Sequence, residues 1–175
     1  MATLHLIEGP VGAGKSTYAG HLALREGAVH LDLDEWMVTL FSKDRPAEGF
    51  MEWYAERKDR CIEQIWHVTE RLLDAGVDAV LELGLVQRAA REAFYARVDA
   101  ADRPVRITVL DVPAEVRRQR VMARNETGSA TYRMVVSEEI FELANGAWEA
   151  PDEAEIAQRE IEVVTPDSRQ ETRGC

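Results

Sequence analysis

Gly9-Pro10-Val11-Gly12-Ala13-Gly14-Lys15-Ser16-Thr17 decides how this 175-residue chain is built. The stretch satisfies G-x-x-x-x-G-K-[ST], whose glycines let the backbone curl until successive N–H groups point inward at phosphate oxygens. An apolar run, Thr3 to Glu8, leads into it, and a helical pattern leaves it and ends near Gly27. A loop between strand and helix adds the positive end of the helix dipole to the cradle. In that setting Gly9, Val11, Gly12, Ala13 and Gly14 shape the loop and offer N–H groups. Lys15 reaches the β and γ phosphates, the Ser16 hydroxyl ligates Mg²⁺ and Thr17 meets the α phosphate. The ligand implied is ATP or GTP with Mg²⁺.

Outward from the loop the chain alternates strands and helices. Ala28 to Leu33 reads as a second strand. A long helix spans about Glu48 to Ala75, because Tyr54, Cys61, Ile65, Val68 and Leu72 recur at three, four and seven and Gly76 closes the run. Ala79 to Leu83 is a third strand that exits at Gly84, and Arg88 to Ala100 a helix. Val105 to Leu110 is a fourth strand, and Pro113 opens a helix that runs to about Arg124. Asn125 to Thr131 breaks the pattern. Ser137, with Glu138 and Glu139 behind it, caps another helix, and Ile161 to Val164 is a fifth strand. Such alternation specifies an α/β protein, a parallel sheet covered on both faces by right-handed crossovers. Residues 1–165 read as one domain with a lid at about 125–136, and 166–175 as a loose tail.

Ligands of open parallel sheets bind outside the carboxyl ends of the strands, where Asp32, Asp34 and Glu82 fall. A carboxylate near an acceptor hydroxyl can orient it and take its proton. Asp34 is the candidate base, with a helix N-cap as its alternative role. Asp32 or Glu82 would hold the waters of Mg²⁺.

Between Arg88 and Arg133 stand ten arginines against six acids, in a chain whose formal net charge is -11. Arg117, Arg120 and Arg124 are three and four apart, so one helical face presents them. Arginine forks suit the charge of a transferring phosphoryl group, which makes Arg120 and Arg124 lid candidates and Arg133 a third. Trp36, Phe41, Phe50, Trp53 and Tyr54 cluster between the second strand and the long helix, and their flat apolar walls would suit a ring or a hydrophobic scaffold.

The overall negative charge disfavours an extended nucleic acid or an anionic membrane as partner. No window approaches the ~18 apolar residues of a membrane span. Cys61 and Cys175 offer no metal cluster or disulfide framework, and the four histidines show no ligand spacing. A cytoplasmic protein, monomer or homodimer, is the expectation.

Over residues 3 to 153 the chain resembles a family of small bacterial P-loop ATP-binding proteins, AAA-family ATPase-like but built like small-molecule kinases. The loop is followed by Leu31 to Trp36 (LDLDEW), Glu82-Leu83-Gly84 with Arg88 and Arg91, and Leu110 to Pro113 (LDVP). Arg120 to Asn125, Val136 to Glu142 (VSEEIFE) and Trp148 to Pro151 (WEAP) complete the series. The resemblance extends in architecture to chloramphenicol phosphotransferase, zeta toxins and shikimate or gluconate kinases. It implies a five-stranded sheet of order 2-3-1-4-5, a three-layer P-loop NTPase fold with an arginine-bearing lid, and an acceptor base at the position of Asp34. Two positions depart from the family pattern: Glu82 stands where aspartate is commoner, and Leu85-Val86 replaces a more aromatic pair.

The acceptor-side candidates are Trp36, Trp53, Arg88, Arg91 and Arg133. The function expected is an ATP-dependent phosphotransferase acting on a hydroxyl of a small molecule, with antibiotics (hence antibiotic resistance), nucleosides and sugar derivatives as options. The alternatives are an ATP-hydrolysing switch working through a protein partner, and a nucleotide or polynucleotide kinase.

Overall fold

A computed structural model describes residues 1–127 and 136–165. Most of the expected lid, Arg133 and the tail lie outside the described residues.

The elements follow in the order β1 (Leu4–Glu8), α1 (Lys15–Glu26), β2 (Val29–Asp32), α2 (Leu33–Phe41) and α3 (Phe50–Asp74), with a single 3-10 turn at Ser42–Asp44. Then come β3 (Ala79–Glu82), α4 (Arg88–Ala100), β4 (Val105–Leu110), α5 (Ala114–Thr127), α6 (Glu138–Ala147), α7 (Glu153–Arg159) and β5 (Glu162–Val164). The strands form one sheet of order β2-β3-β1-β4-β5, every pair parallel. This is the order that the resemblance implies, and β1 lies at its centre.

A parallel sheet with helices on both faces requires strands that are apolar on both sides, and all five residues of β1 are buried. Leu4 and Leu6 pack with Ile65 and Trp66 of α3 and Phe94 and Tyr95 of α4. Ile7, one residue out of phase, packs instead with Ala19, Leu22 and Ala23 of α1. Trp66 meets Phe94 edge to face at 5.7 Å. The inward face of α3 carries Cys61, Ile65, Thr69 and Leu73, all buried, which accounts for the length of its periodic pattern. Cys61 is accordingly a core thiol.

Two elements exceed the sequence expectation. Only a turn is legible at Asp34 to Trp36, yet a nine-residue helix forms, because the Asp32 carboxylate accepts from the N–H groups of Asp34 and Glu35 and so ends β2 and starts α2. The helix α7 begins in the same way, with Asp152 accepting from the Glu155 N–H at 2.8 Å. The expected start of α6 is found, with Ser137 Oγ accepting from the Ile140 N–H at 3.3 Å. Among the described residues, no helix is long and apolar enough to cross a membrane.

The register brings Asp32 directly opposite Glu82 at the carboxyl end of the sheet. The same end carries the turn from β1 into α1, so the expected phosphate loop and both strand-end acids share one edge of the molecule.

Candidate active site

The loop from Gly9 to Gly14 leaves β1 through backbone angles that side chains resist. Gly12 has φ +76°, and a Cβ there would stand 2.8 Å from the Arg117 carbonyl oxygen and 2.8 Å from a Val121 methyl. Glycine is required at that position for both conformation and space. Lys15 Nζ bends back to donate to the Pro10 carbonyl at 3.2 Å, which closes the loop over its own helix start.

The loop is held from behind by a residue of the basic stretch. Arg117 is buried, and it donates from Nη1 to the Val11 carbonyl at 3.0 Å, from Nε to the Val112 carbonyl at 2.9 Å and from Nη2 to Asn145 Oδ1 at 2.6 Å. The helical face expected to present three arginines is thereby divided. Arg117 serves the loop's structure, Arg124 lines the cavity in front of it, and Arg120 lies outside that lining.

Ser16 Oγ donates to Glu82 Oε1 at 3.1 Å. The other oxygen of Glu82 is buried with no hydrogen-bond partner among the described residues, and His30 Nε2 lies 3.6 Å from it. A buried carboxylate oxygen in this condition is costly unless something else meets it. The neighbourhood is also rich in negative charge. Burial first, then the charges of Glu82 and Asp34, push Asp32 up to about 6, against the pull of its two backbone hydrogen bonds. A magnesium ion bound through a hydroxyl, a carboxylate-held water shell and phosphate oxygens fits Ser16 and Glu82, since Mg²⁺ keeps several waters and needs only one or two protein ligands. No group of three or more His, Cys, Asp or Glu suited to a metal occurs among the described residues. Asp32 spends its carboxylate on capping α2 and is not on the cavity wall.

One cavity of about 330 Å³ runs along this edge, lined on one side by Val11, Gly12 and Gly14 to Thr17 and on the other by residues of α2, the turn after it and the start of α3. Asp34, Glu82 and Arg124 share its wall. Because Asp32 takes the N-cap role, Asp34 falls in the first turn of α2 with its carboxylate left to the cavity. The carboxyl of Asp34 is raised, chiefly by the protein packed around it, while Lys15, Lys58 and Arg124 lower it and Glu82 raises it. Yet Asp34 keeps open surface toward the cleft, and cleft water screens much of that desolvation.

The structure separates the acceptor-side candidates. Trp53 lines the cavity, with Phe50 and Tyr54. Trp36 instead lines a shallow cleft with Leu40, Phe41, Arg60, Cys61 and Gln64. Arg91 cannot meet an acceptor, because it is wholly buried, paired by Nε and Nη2 with both carboxylate oxygens of Glu155 at 2.6 and 2.8 Å, and donates from Nη1 to the Glu149 carbonyl. Arg88 is exposed and tied to Glu92 and Asp152, away from the cavity wall. The Trp148 to Pro151 motif belongs to the same structural seam: the Trp148 ring lies under the Arg91 guanidinium, and Glu149 accepts from the Arg88 N–H at 2.7 Å, capping α4 from a distance.

Lys58 was not singled out from sequence. It donates to the Gly84 carbonyl at 3.3 Å, burial lowers its pKa, and Asp34 counters that shift. Its signal was available: Tyr54, Cys61, Ile65, Val68 and Leu72 leave one gap in their helical period, and Lys58 fills it, a charge in the inward phase.

A glycine loop feeding a helix from the central strand of a parallel 2-3-1-4-5 sheet, with a serine–glutamate pair beside it, defines a P-loop NTPase fold of the kind seen in small kinases. The chain belongs to the AAA_33 family of AAA domains, whose model matches residues 4–151. No curated protein matches the chain. Solved structures similar to it include a sugar kinase from Janibacter sp. HTCC2649, at 19% identity and a TM-score of 0.61, covering 97% of this chain and 87% of that one. Kti12 from Chaetomium thermophilum in complex with ADP-AlF3 is similar at 15% identity and a TM-score of 0.68, covering 95% and 92%. The APS kinase CysC of Mycobacterium tuberculosis, in complex with AMPPNP and APS, is similar at 18% identity and 0.60, covering 95% and 89%. At these identities the likeness is one of fold.

Proposed function

We propose that the protein is a kinase that transfers the γ-phosphoryl group of ATP to a hydroxyl of a small molecule, with Asp34 as the base. The observation that carries this is the shared cavity: the phosphate loop and Asp34 line one space, and beyond Asp34 that space continues along α2 and α3. The folds of the sugar kinase and the APS kinase add support at the level of architecture. In the reaction the acceptor oxygen bonds to the γ phosphorus while the bond from that phosphorus to the β–γ bridging oxygen breaks. ADP departs with the electron pair, and the hydroxyl proton passes to the Asp34 carboxylate. The loop's N–H groups and Lys15 hold the phosphates, and Arg124 supplies charge to the equatorial oxygens. Ser16, and Glu82 through waters, would hold magnesium, which would supply charge neutralisation at the phosphates.

Incubation with Mg-ATP and a panel of alcohols, read by mass spectrometry for addition of one phosphoryl group, tests the proposal. Asp34→Asn should lower kcat by roughly 10²- to 10⁴-fold, the usual contribution of a positioned base, while ATP affinity measured by calorimetry stays near that of the parent. Transfer at an undiminished rate would remove Asp34 from the base role. ATP turnover without any phosphorylated alcohol would favour a hydrolysis-driven module instead.

A further inference from the structure

The acceptor half of the cavity has a chemical character of its own. Among the described residues its walls are Met37 and Val38 of α2 and Phe50, Trp53 and Tyr54 of α3, and the residues there that can hydrogen-bond, beyond Asp34, are Ser42, Tyr54 and Arg45. Phe50 stacks on Trp53 with centroids 5.8 Å apart and lies against Tyr54 at 5.7 Å, so the aromatic wall is braced internally. Arg57 lies over Trp53 at 4.6 Å and donates from Nη1 to the Trp53 carbonyl at 3.2 Å, which fixes that ring from the side. Arg45 lies over Phe50 at 4.2 Å and is otherwise exposed, a single cation at the rim.

We propose that the acceptor is an alcohol carried on a planar apolar ring, an aryl alcohol of one or two rings, and not a polyol or a nucleotide. The proposal rests on the kinase assignment above, since it concerns the same site. A polyol carries several hydroxyls, each of which weakens binding if buried without a partner, and among the described residues Ser42, Tyr54 and Arg45 are too few to serve them. A nucleotide acceptor brings a phosphate that calls for several arginines, and among the described residues the acceptor wall offers Arg45 alone, at its edge. A ring, in contrast, packs against Met37, Val38 and the braced aromatic side chains without bringing polar groups that need partners. Size agrees. Ligand clefts commonly span roughly 300–1,000 Å³, and this one spans about 330 Å³, part of which the kinase assignment reserves for phosphates, so the acceptor is small.

The test separates binding from transfer. Calorimetric titrations of the full chain with Mg-ADP present would compare benzyl alcohol, phenethyl alcohol and naphthylmethanol with glucose, gluconate and adenosine monophosphate. The aryl alcohols should bind at least about tenfold more tightly than any polyol or nucleotide. Trp53→Ala should weaken aryl binding by about fivefold to tenfold, the worth of one aromatic contact, with Mg-ADP affinity unchanged. Tighter binding of a polyol or nucleotide, or aryl binding indifferent to Trp53→Ala, would overturn the inference. Phosphoryl transfer from Mg-ATP to the bound alcohol is scored separately. Aryl binding without transfer would sustain the acceptor class while the kinase assignment fails, and transfer to a polyol would sustain the kinase assignment while the acceptor class fails.

Discussion

Gly12 shows how little freedom a single residue of the phosphate loop has. At φ +76° an L side chain already costs about 1–2 kcal/mol, and the added Cβ would press on a carbonyl oxygen at 2.8 Å that belongs to the backbone of α5. Backbone does not give way as a flexible side chain does. Gly12→Ala should therefore lose about 2–4 kcal/mol of stability, strain and overpacking together, and should displace the loop from Arg117. Urea unfolding measures the first effect, and calorimetric titration with Mg-ATP the second, where affinity should fall at least about tenfold. Gly20 provides the control, because a Cβ there meets nothing within 4 Å and the residue lies inside α1. Gly20→Ala should leave ATP affinity intact and be neutral or slightly stabilising by helix propensity.

At the scale of elements, α5 joins the loop to the rest of the site through Arg117. Removing its donors leaves the Val11 and Val112 carbonyls and Asn145 Oδ1 short of partners, at about 1–3 kcal/mol for each buried group so stranded. Arg117→Met keeps most of the aliphatic stem while removing the guanidinium that lies over the Phe141 ring, and should cost about 3 kcal/mol in thermal or urea unfolding. Arg118→Met, one residue away, breaks surface pairs with Glu115 and Glu142 and the contact of its guanidinium with the Phe141 ring, but strands no backbone carbonyl of the loop, and should stay within about 1 kcal/mol of the parent. Equal losses in the two variants would remove the clamp role from Arg117. This pair also marks the limit of what the sequence discloses. The loop, the strands and the Ser137 cap are local patterns, so they are readable in the order in which they occur. The partners of Arg91 and Arg117 are not. Glu155 stands 64 residues beyond Arg91, and Val11 stands 106 residues before Arg117. Periodicity cannot tell an arginine that faces a ligand from one that closes a core. The helix α2 is not legible in the sequence for a related reason: its start depends on Asp32, an acid that its strand-end position offers equally to the waters of magnesium.

For the whole molecule, a buried carboxyl beneath the loop couples stability to pH. Glu8 ends β1, is buried, and accepts from Tyr95 Oη at 3.1 Å, while its other oxygen has no hydrogen-bond partner among the described residues. Arg91, 3.9 Å away, is committed to Glu155. Burial raises Glu8 from 4.5 to about 8, outweighing the opposing pull of Arg91 and of the Tyr95 hydrogen bond. The folded state therefore holds a proton that the unfolded chain releases near 4.5. The stabilisation tied to that proton is complete below 4.5 and is lost as pH rises through about 8. Asp32, raised to about 6, acts in the same sense over a lower window. Between pH 6 and 8 the dominant slope should come from Glu8, approaching about 1.4 kcal/mol per pH unit for one proton. Glu8→Gln carries a neutral amide of the same length and cannot release that proton. Urea unfolding across this range should give the variant a flatter stability profile than the parent, with its largest advantage above pH 8. Parallel profiles for the two proteins would mean that Glu8 is already ionised in the fold, with Arg91 shared between Glu8 and Glu155.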